Sequence, residues 1–170
     1  MNQVKRVVCL AIAVLASVTA HGAPVAWTIV GATLDDGSTA SGSFTYDAAT
    51  AVYSSYSIDF TAGSVGAAIS YDSSASVFGF SSPTNLTLTL GGISSYMNLA
   101  FVSVLTDAGG TIAIGLNPAG GFAVTSWECT NCGSLRFFTG GQVTSTPVPE
   151  PTSLLLLASA LAGLALTRRR

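Results

Sequence analysis

The 170-residue chain predicts an all-β fold, an antiparallel two-layer β-sandwich or jelly roll, flanked by an N-terminal signal helix and a C-terminal transmembrane helix. Three observations carry the β prediction. Apolar and polar residues alternate in run after run, the period of a strand with one face toward water. Clusters of Asp, Gly, Ser, Asn and Pro separate the runs at short intervals. No stretch shows a helical apolar period with caps.

Ten strands are predicted in order: 25–34, 39–46, 51–60, 66–71, 76–80, 85–90, 94–105, 111–116, 122–128 and 134–145. In the second, Phe44 and Tyr46 alternate with Ser43 and Thr45. In the third, Tyr56, Ile58 and Phe60 alternate with Ser57 and Asp59, which puts Asp59 on the wet face. Asn85-Leu86-Thr87-Leu88-Thr89-Leu90 alternates strictly, with leucines on one face and polar residues opposite. Thr111-Ile112-Ala113-Ile114-Gly115-Leu116 repeats the pattern. The turns are read at Asp35-Asp36-Gly37-Ser38, Tyr46-Asp47-Ala48-Ala49, Asp72-Ser73-Ser74, Ser82-Pro83-Thr84, Asp107-Ala108-Gly109-Gly110 and Asn117-Pro118-Ala119-Gly120-Gly121. A domain of residues 24–145 has the size to bury a core. Trp27, Phe44, Phe60, Phe101, Phe122 and Trp127 are the predicted core aromatics.

Composition narrows the function classes. Charged residues make up 8% of the chain, where an ordinary domain carries roughly 25%. Between the two ends stand seven acids (Asp35, Asp36, Asp47, Asp59, Asp72, Asp107, Glu128) and one base, Arg136, a formal charge of −6. Such a surface excludes nucleic acid as a partner. Serine and threonine, about a quarter of the chain, offer ample surface for O-glycosylation.

The ends carry addresses. Residues 1–23 read as a signal peptide. Lys5 and Arg6 precede an apolar run over 7–18, and Val18-Thr19-Ala20 presents the small side chains that signal peptidase accepts. Cleavage before His21 is the first choice and cleavage after Gly22 the second. The Sec translocon and signal peptidase are the partners implied. At the other end, a linker Val143-Thr144-Ser145-Thr146-Pro147 leads to Val148-Pro149-Glu150-Pro151, an uncharged stretch over 154–166, and Arg168-Arg169-Arg170. Thirteen helical residues rise about 20 Å, and Thr152, Ser153, Thr167 and snorkelling arginines nearly close the gap to a bilayer core of about 30 Å. The three arginines stop the segment on the cytoplasmic side. The prolines around Glu150 forbid helix and leave an extended peptide at the membrane surface.

Over residues 148–170 this order of features resembles the PEP-CTERM sorting signal of Gram-negative bacteria. The resemblance implies an exosortase substrate. Val148, Pro149, Glu150 and Pro151 are then the recognition segment, and the protein passes through an inner-membrane intermediate to the cell surface or extracellular matrix. A permanently anchored protein facing the periplasm is the alternative. The opening of the domain, Gly31, Asp35-Asp36-Gly37 and Gly42-Ser43-Phe44-Thr45-Tyr46-Asp47, also resembles a recurring pattern of that group.

Chemistry-bearing constellations are few. Cys129-Thr130-Asn131-Cys132 lies between strands rather than at the start of a helix, and reads as a small disulfide clamping a turn in an oxidising compartment. Zinc lacks further ligands. The aspartates Asp35, Asp36, Asp47 and Asp107 lie in turns without the spacing of a calcium loop; no metal and no cofactor is expected. His21, the single histidine, stands at the signal-cleavage site, so a serine triad lacks its base. Glu128 with an Asp is the one carboxylate pair on offer for glycosidase chemistry, and nothing in the sequence brings the two together. Gly109-Gly110 and Gly120-Gly121 read as hairpin turns. The expectation is a non-enzyme. Tyr53, Tyr56, Tyr71 and Tyr96 are the candidates for a sugar-binding face, which would make the domain a carbohydrate-binding module in an exopolysaccharide matrix. Asn85-Leu86-Thr87 matches a glycosylation acceptor and is read as strand.

Overall fold

The computed structural model describes residues 23–91, 94–116, 121 and 124–146. The expected signal peptide, the Pro-Glu-Pro segment, the C-terminal helix and Arg168 to Arg170 lie outside these, as does Phe122. All the described elements are strands: β1 (Val25–Leu34), β2 (Thr39–Asp47), β3 (Val52–Phe60), β4 (Ile69–Tyr71), β5 (Ser76–Val77), β6 (Asn85–Leu90), β7 (Ser95–Ala100), β8 (Gly110–Ala113), β9 (Trp127–Cys129) and β10 (Arg136–Ser145). Each falls on one of the ten predicted runs. The ends are trimmed most in β4, β5, β7 and β9, where loops take over. Among the described residues no helix is long and apolar enough to cross a membrane.

All pairings are antiparallel. They form one curled, half-barrel sheet in the order β4-β3-β2-β1-β10-β9-β7-β6-β5, with β8 also on β10. β10 is the joint. Its first residues, Arg136 and Phe137, pair with β9. Its later ones pair with β1 on one side and β8 on the other. The two arms of the sheet share one core, built from Trp27, Phe44, Ile58, Phe60 and Val143 in the first arm and Leu86, Leu88, Met97 and Leu99 in the second. Phe44 and Phe101 meet across it with ring centroids 5.8 Å apart.

Local sequence explains the register. β1 buries Val25, Trp27, Ile29, then Ala32 and Leu34, a phase change of one residue. The register shift between Ile29 and Ala32 absorbs it as a bulge, so both halves of the strand keep their apolar side inward. Gly42 in β2 has φ +128°, and a Cβ there would stand 2.0 Å from the Ser57 carbonyl of β3. That close approach accounts for the glycine in the Gly42-Ser43-Phe44-Thr45-Tyr46-Asp47 pattern.

The aspartates act as turn builders. Asp47 accepts from the Ala49 and Thr50 amides, Asp72 from Ser74, and Asp107 from the Ala48 amide. Asp59 is exposed, as its alternation predicted, and accepts the Ser70 hydroxyl. Among the described residues no group of acids, Cys or His is placed to hold a metal ion.

Candidate functional site

Two features rise from the fold: a buried ion-pair cluster at the β9–β10 joint, and a cleft on the outer face of the second arm. They are made by alternate residues of one three-residue strand. In β9, Glu128 points into the core, while Trp127 and Cys129 point out.

Glu128 sits opposite Met97 on one side and Arg136 on the other. Its side chain is fully buried, and Arg136 Nε donates to Glu128 Oε2 at 2.6 Å. Tyr71 and Thr130 hydroxyls donate to the other oxygen at 3.1 and 3.0 Å. Arg136 also reaches Asp36 at 3.5 Å, donates to the carbonyls of Thr61 and Ala67, and lies over the Phe60 ring. The segment carrying Thr61 and Ala67 can close over this pair because of two glycines. A Cβ on Gly63 would collide with the Asp36 carboxylate, and one on Gly66 with the guanidinium. Asp36 further accepts the Ser38 amide and, at short range, its hydroxyl. Burial alone would raise the Asp36 pKa; the Ser38 donors, the Gly66 amide and Arg136 outweigh it and hold it below the ordinary carboxylate value. Asp35 accepts the Phe137 amide. The Asp35-Asp36-Gly37 turn is therefore pinned to the start of β10. With both oxygens of Glu128 engaged and the side chain fully buried, the cluster clasps β9, the start of β10 and the Asp36 turn together.

The register places Thr87, Asn98 and Trp127 in one row across β6, β7 and β9, and Thr89, Tyr96 and Cys129 in the next. Asn85 stands beside the first row. These outward residues, Thr89 excepted, floor an open cleft of about 960 Å³. One wall is Phe78 and Phe80, in the loop after β5; the other is Cys132 and Leu135 of the β9–β10 turn, with Val124 at the rim. Phe78 packs edge-on against Tyr96, with centroids 5.8 Å apart, and against Phe80 at 5.2 Å. Phe80 is 77% exposed. The floor is polar and internally ordered. Asn85 Nδ2 donates to Asn98 Oδ1 at 2.6 Å, Thr87 Oγ1 lies 2.9 Å from both amide oxygens, and Asn98 Nδ2 donates to the Thr125 carbonyl at 2.7 Å. None of the described side chains lining the cleft is charged.

Several expectations are corrected here. The polar face of β6 is not wet: Asn85 and Thr87 are buried, because the 78–82 segment folds over them and Ser81 exchanges hydrogen bonds with the Thr87 backbone. The acceptor amide of Asn85-Leu86-Thr87 is thus enclosed, consistent with its reading as strand. Trp127 is half-buried in the cleft rather than in the core, since its strand phase puts Glu128 inside. Trp27, Phe44, Phe60 and Phe101 are buried as expected. The tyrosines do not form one face. Tyr53 and Tyr71 are core residues whose burial pushes the phenol pKa up. Tyr56 is half-buried and donates to the Ala75 carbonyl. Tyr96 alone reaches the cleft. Of the residues missed, Asn98 and Thr87 had a legible signal: the matching periods Asn-x-Thr-x-Thr, Tyr-x-Asn and Trp-x-Cys put polar and aromatic groups on one face of three strands; Phe78, in the loop after β5, had none. Cys129 and Cys132 form the predicted disulfide, with Cα atoms 4.6 Å apart. Asn131 within its turn has φ +54° and donates its amide to Ser95 Oγ.

Residues 147–170 match the family model of the PEP-CTERM protein-sorting motif. Comparison with curated proteins and with solved structures finds no match. The chain carries the sorting motif that its tail resembles. It is an exported protein directed through the membrane toward the cell surface, with an exosortase as its processing partner.

Proposed function

We infer that the mature domain is a non-enzymatic binding module, delivered to the cell surface or extracellular matrix of a Gram-negative bacterium. Exosortase recognition falls on Val148, Pro149, Glu150 and Pro151. The uncharged stretch over 154–166 and Arg168, Arg169 and Arg170 hold the substrate at fixed depth until the cut. Residues 1–23 hold the signal peptide, cut before His21 or after Gly22; 24–145 are the folded unit, and 146–170 are linker and signal. The two arms facing one core act as the layers of a sandwich joined at β10. The observation that carries the sorting reading is the match over residues 147–170.

The binding role rests on the cleft. It lies at the upper end of the roughly 300–1,000 Å³ range of small-ligand sites, with apolar walls and a few convergent polar groups. Burial of Glu128 beneath Arg136 supports a role without catalysis. An exopolysaccharide chain is the matrix partner that this lining favours.

Replacing Pro149-Glu150-Pro151 by three alanines and fractionating the host tests the sorting reading. The variant is expected to accumulate in the membrane with Arg168 to Arg170 still attached, while the parent loses its tail. A variant that reaches the medium in mature form refutes it. A parent that keeps its tail in the membrane marks a permanent anchor instead.

A further inference from the structure

We propose that the cleft on the outer face of β6, β7 and β9 selects an uncharged saccharide, stacked on Tyr96, Trp127 and Phe80 and met at its hydroxyl edge by Ser82 and Thr84. This rests on the binding role given above and adds the ligand's chemistry. A pyranose ring has two kinds of surface. Its C–H faces are apolar and pack on aromatic rings; its edge is a belt of hydroxyls that needs donors and acceptors. The cleft offers the same two kinds in the same relation. Phe78 and Phe80 stand on one wall, Tyr96 and Trp127 rise from the floor strands, and the hydroxyls of half-buried Ser82 and exposed Thr84 complete the lining. The carboxamides of Asn85 and Asn98 beneath are buried and tied to one another, so the floor is ordered before any ligand arrives. Pre-set polar groups cost little further ordering on binding.

Charge decides between saccharide classes. A uronate or sulfate brought against these rings would leave water without a counter-ion, because no described lining residue is cationic. The one cation of the domain, Arg136, faces the opposite side of the sheet and is consumed by Glu128 and Asp36. The surplus of acids repels polyanions before contact. A lipid chain fits less well, since it would lay hydrocarbon over the Ser82 and Thr84 hydroxyls.

The test uses the full protein recovered from its host and the host's own exopolysaccharide, split by anion exchange into neutral and acidic fractions. Affinity electrophoresis reads retardation by each. The expected result is retardation by the neutral fraction, unchanged between about 50 and 500 mM salt, because no ion pair is made. Phe80→Ala and Trp127→Phe should each weaken it by about tenfold. Phe80 is exposed, so its variant keeps the parent's melting temperature and separates lost binding from lost fold. Retardation by the acidic fraction alone overturns the uncharged-ligand inference and leaves glycan binding standing. Neutral binding indifferent to both variants overturns the site. No retardation by either fraction overturns the glycan reading, while tail processing still reports separately on sorting.

Discussion

Replacing Arg136 with methionine keeps most of the buried volume and removes the only cation in the β9–β10 joint. Glu128 and Asp36, both with fully buried side chains, lose their counter-charge. The carbonyls of Thr61 and Ala67 lose their donors. Breaking one partner from a buried pair costs about 3–5 kcal/mol. Each orphaned carbonyl adds about 1 kcal/mol. Partial neutralisation of Glu128 and the new methionine contacts return some of this, leaving about 4–6 kcal/mol against a total stability of about 5–15 kcal/mol. For a domain of this length, that lowers the melting temperature by about 20 °C. Urea unfolding of the mature exported protein, followed by tryptophan fluorescence, measures the loss. Arg136→Lys supplies a variant that stays folded: it keeps the charge but cannot serve Glu128, Thr61 and Ala67 with one planar fork, and should cost about 2–3 kcal/mol. A cycle with Glu128→Gln isolates the pair, with a coupling of at least about 2 kcal/mol expected. An Arg136→Met protein within about 1 kcal/mol of the parent, or a coupling near zero, would refute the clasp.

Two further outcomes follow from the same geometry. Because the Asp36 carboxyl is held below its unfolded value, its contribution is fully present above pH about 4 and is lost as pH falls through the folded value. The urea midpoint should therefore drop on acidification below pH about 4, and Asp36→Asn should flatten that drop relative to the parent; an equally steep profile in the variant would exclude Asp36 as its source. Removing the Cys129–Cys132 bridge opens a loop of sequence separation 3, so Cys129→Ser with Cys132→Ser should cost less than about 2 kcal/mol of stability. The same change should loosen the wall beside Tyr96, Cys129's register partner, and weaken retardation by the neutral glycan more than it lowers the melting temperature.

Local regularities made the strands readable. Alternation of the kind in Phe44-Thr45-Tyr46 or Leu86-Thr87-Leu88 reflects a period set by the backbone, so it survives without knowledge of any partner. The Asx turns at Asp47 and Asp72 are equally local, because the carboxylate serves an amide two residues on. The disulfide spans three residues of separation, and the sorting tail is a linear signal; both could be read in one dimension.

What covers a face is a different kind of question. Strand phase places Thr87 opposite the core but cannot say whether water or Phe78 lies over it; the loop that does so is fixed by hydrogen bonds to Ser81. Trp127 and Glu128 are adjacent, and sequence alone favours the tryptophan for the core. The tertiary structure reverses them, because Arg136 and Tyr71 make a carboxylate tolerable inside and leave the aromatic for the cleft. The clasp joins Asp36 to Arg136 and Tyr71 to Glu128, pairs with no local period to betray them. The β class, the ten strands, the disulfide and the export address were written in local residue patterns. Which polar groups are buried and where the cleft opens were set by contacts between segments that meet only after the sheet has curled.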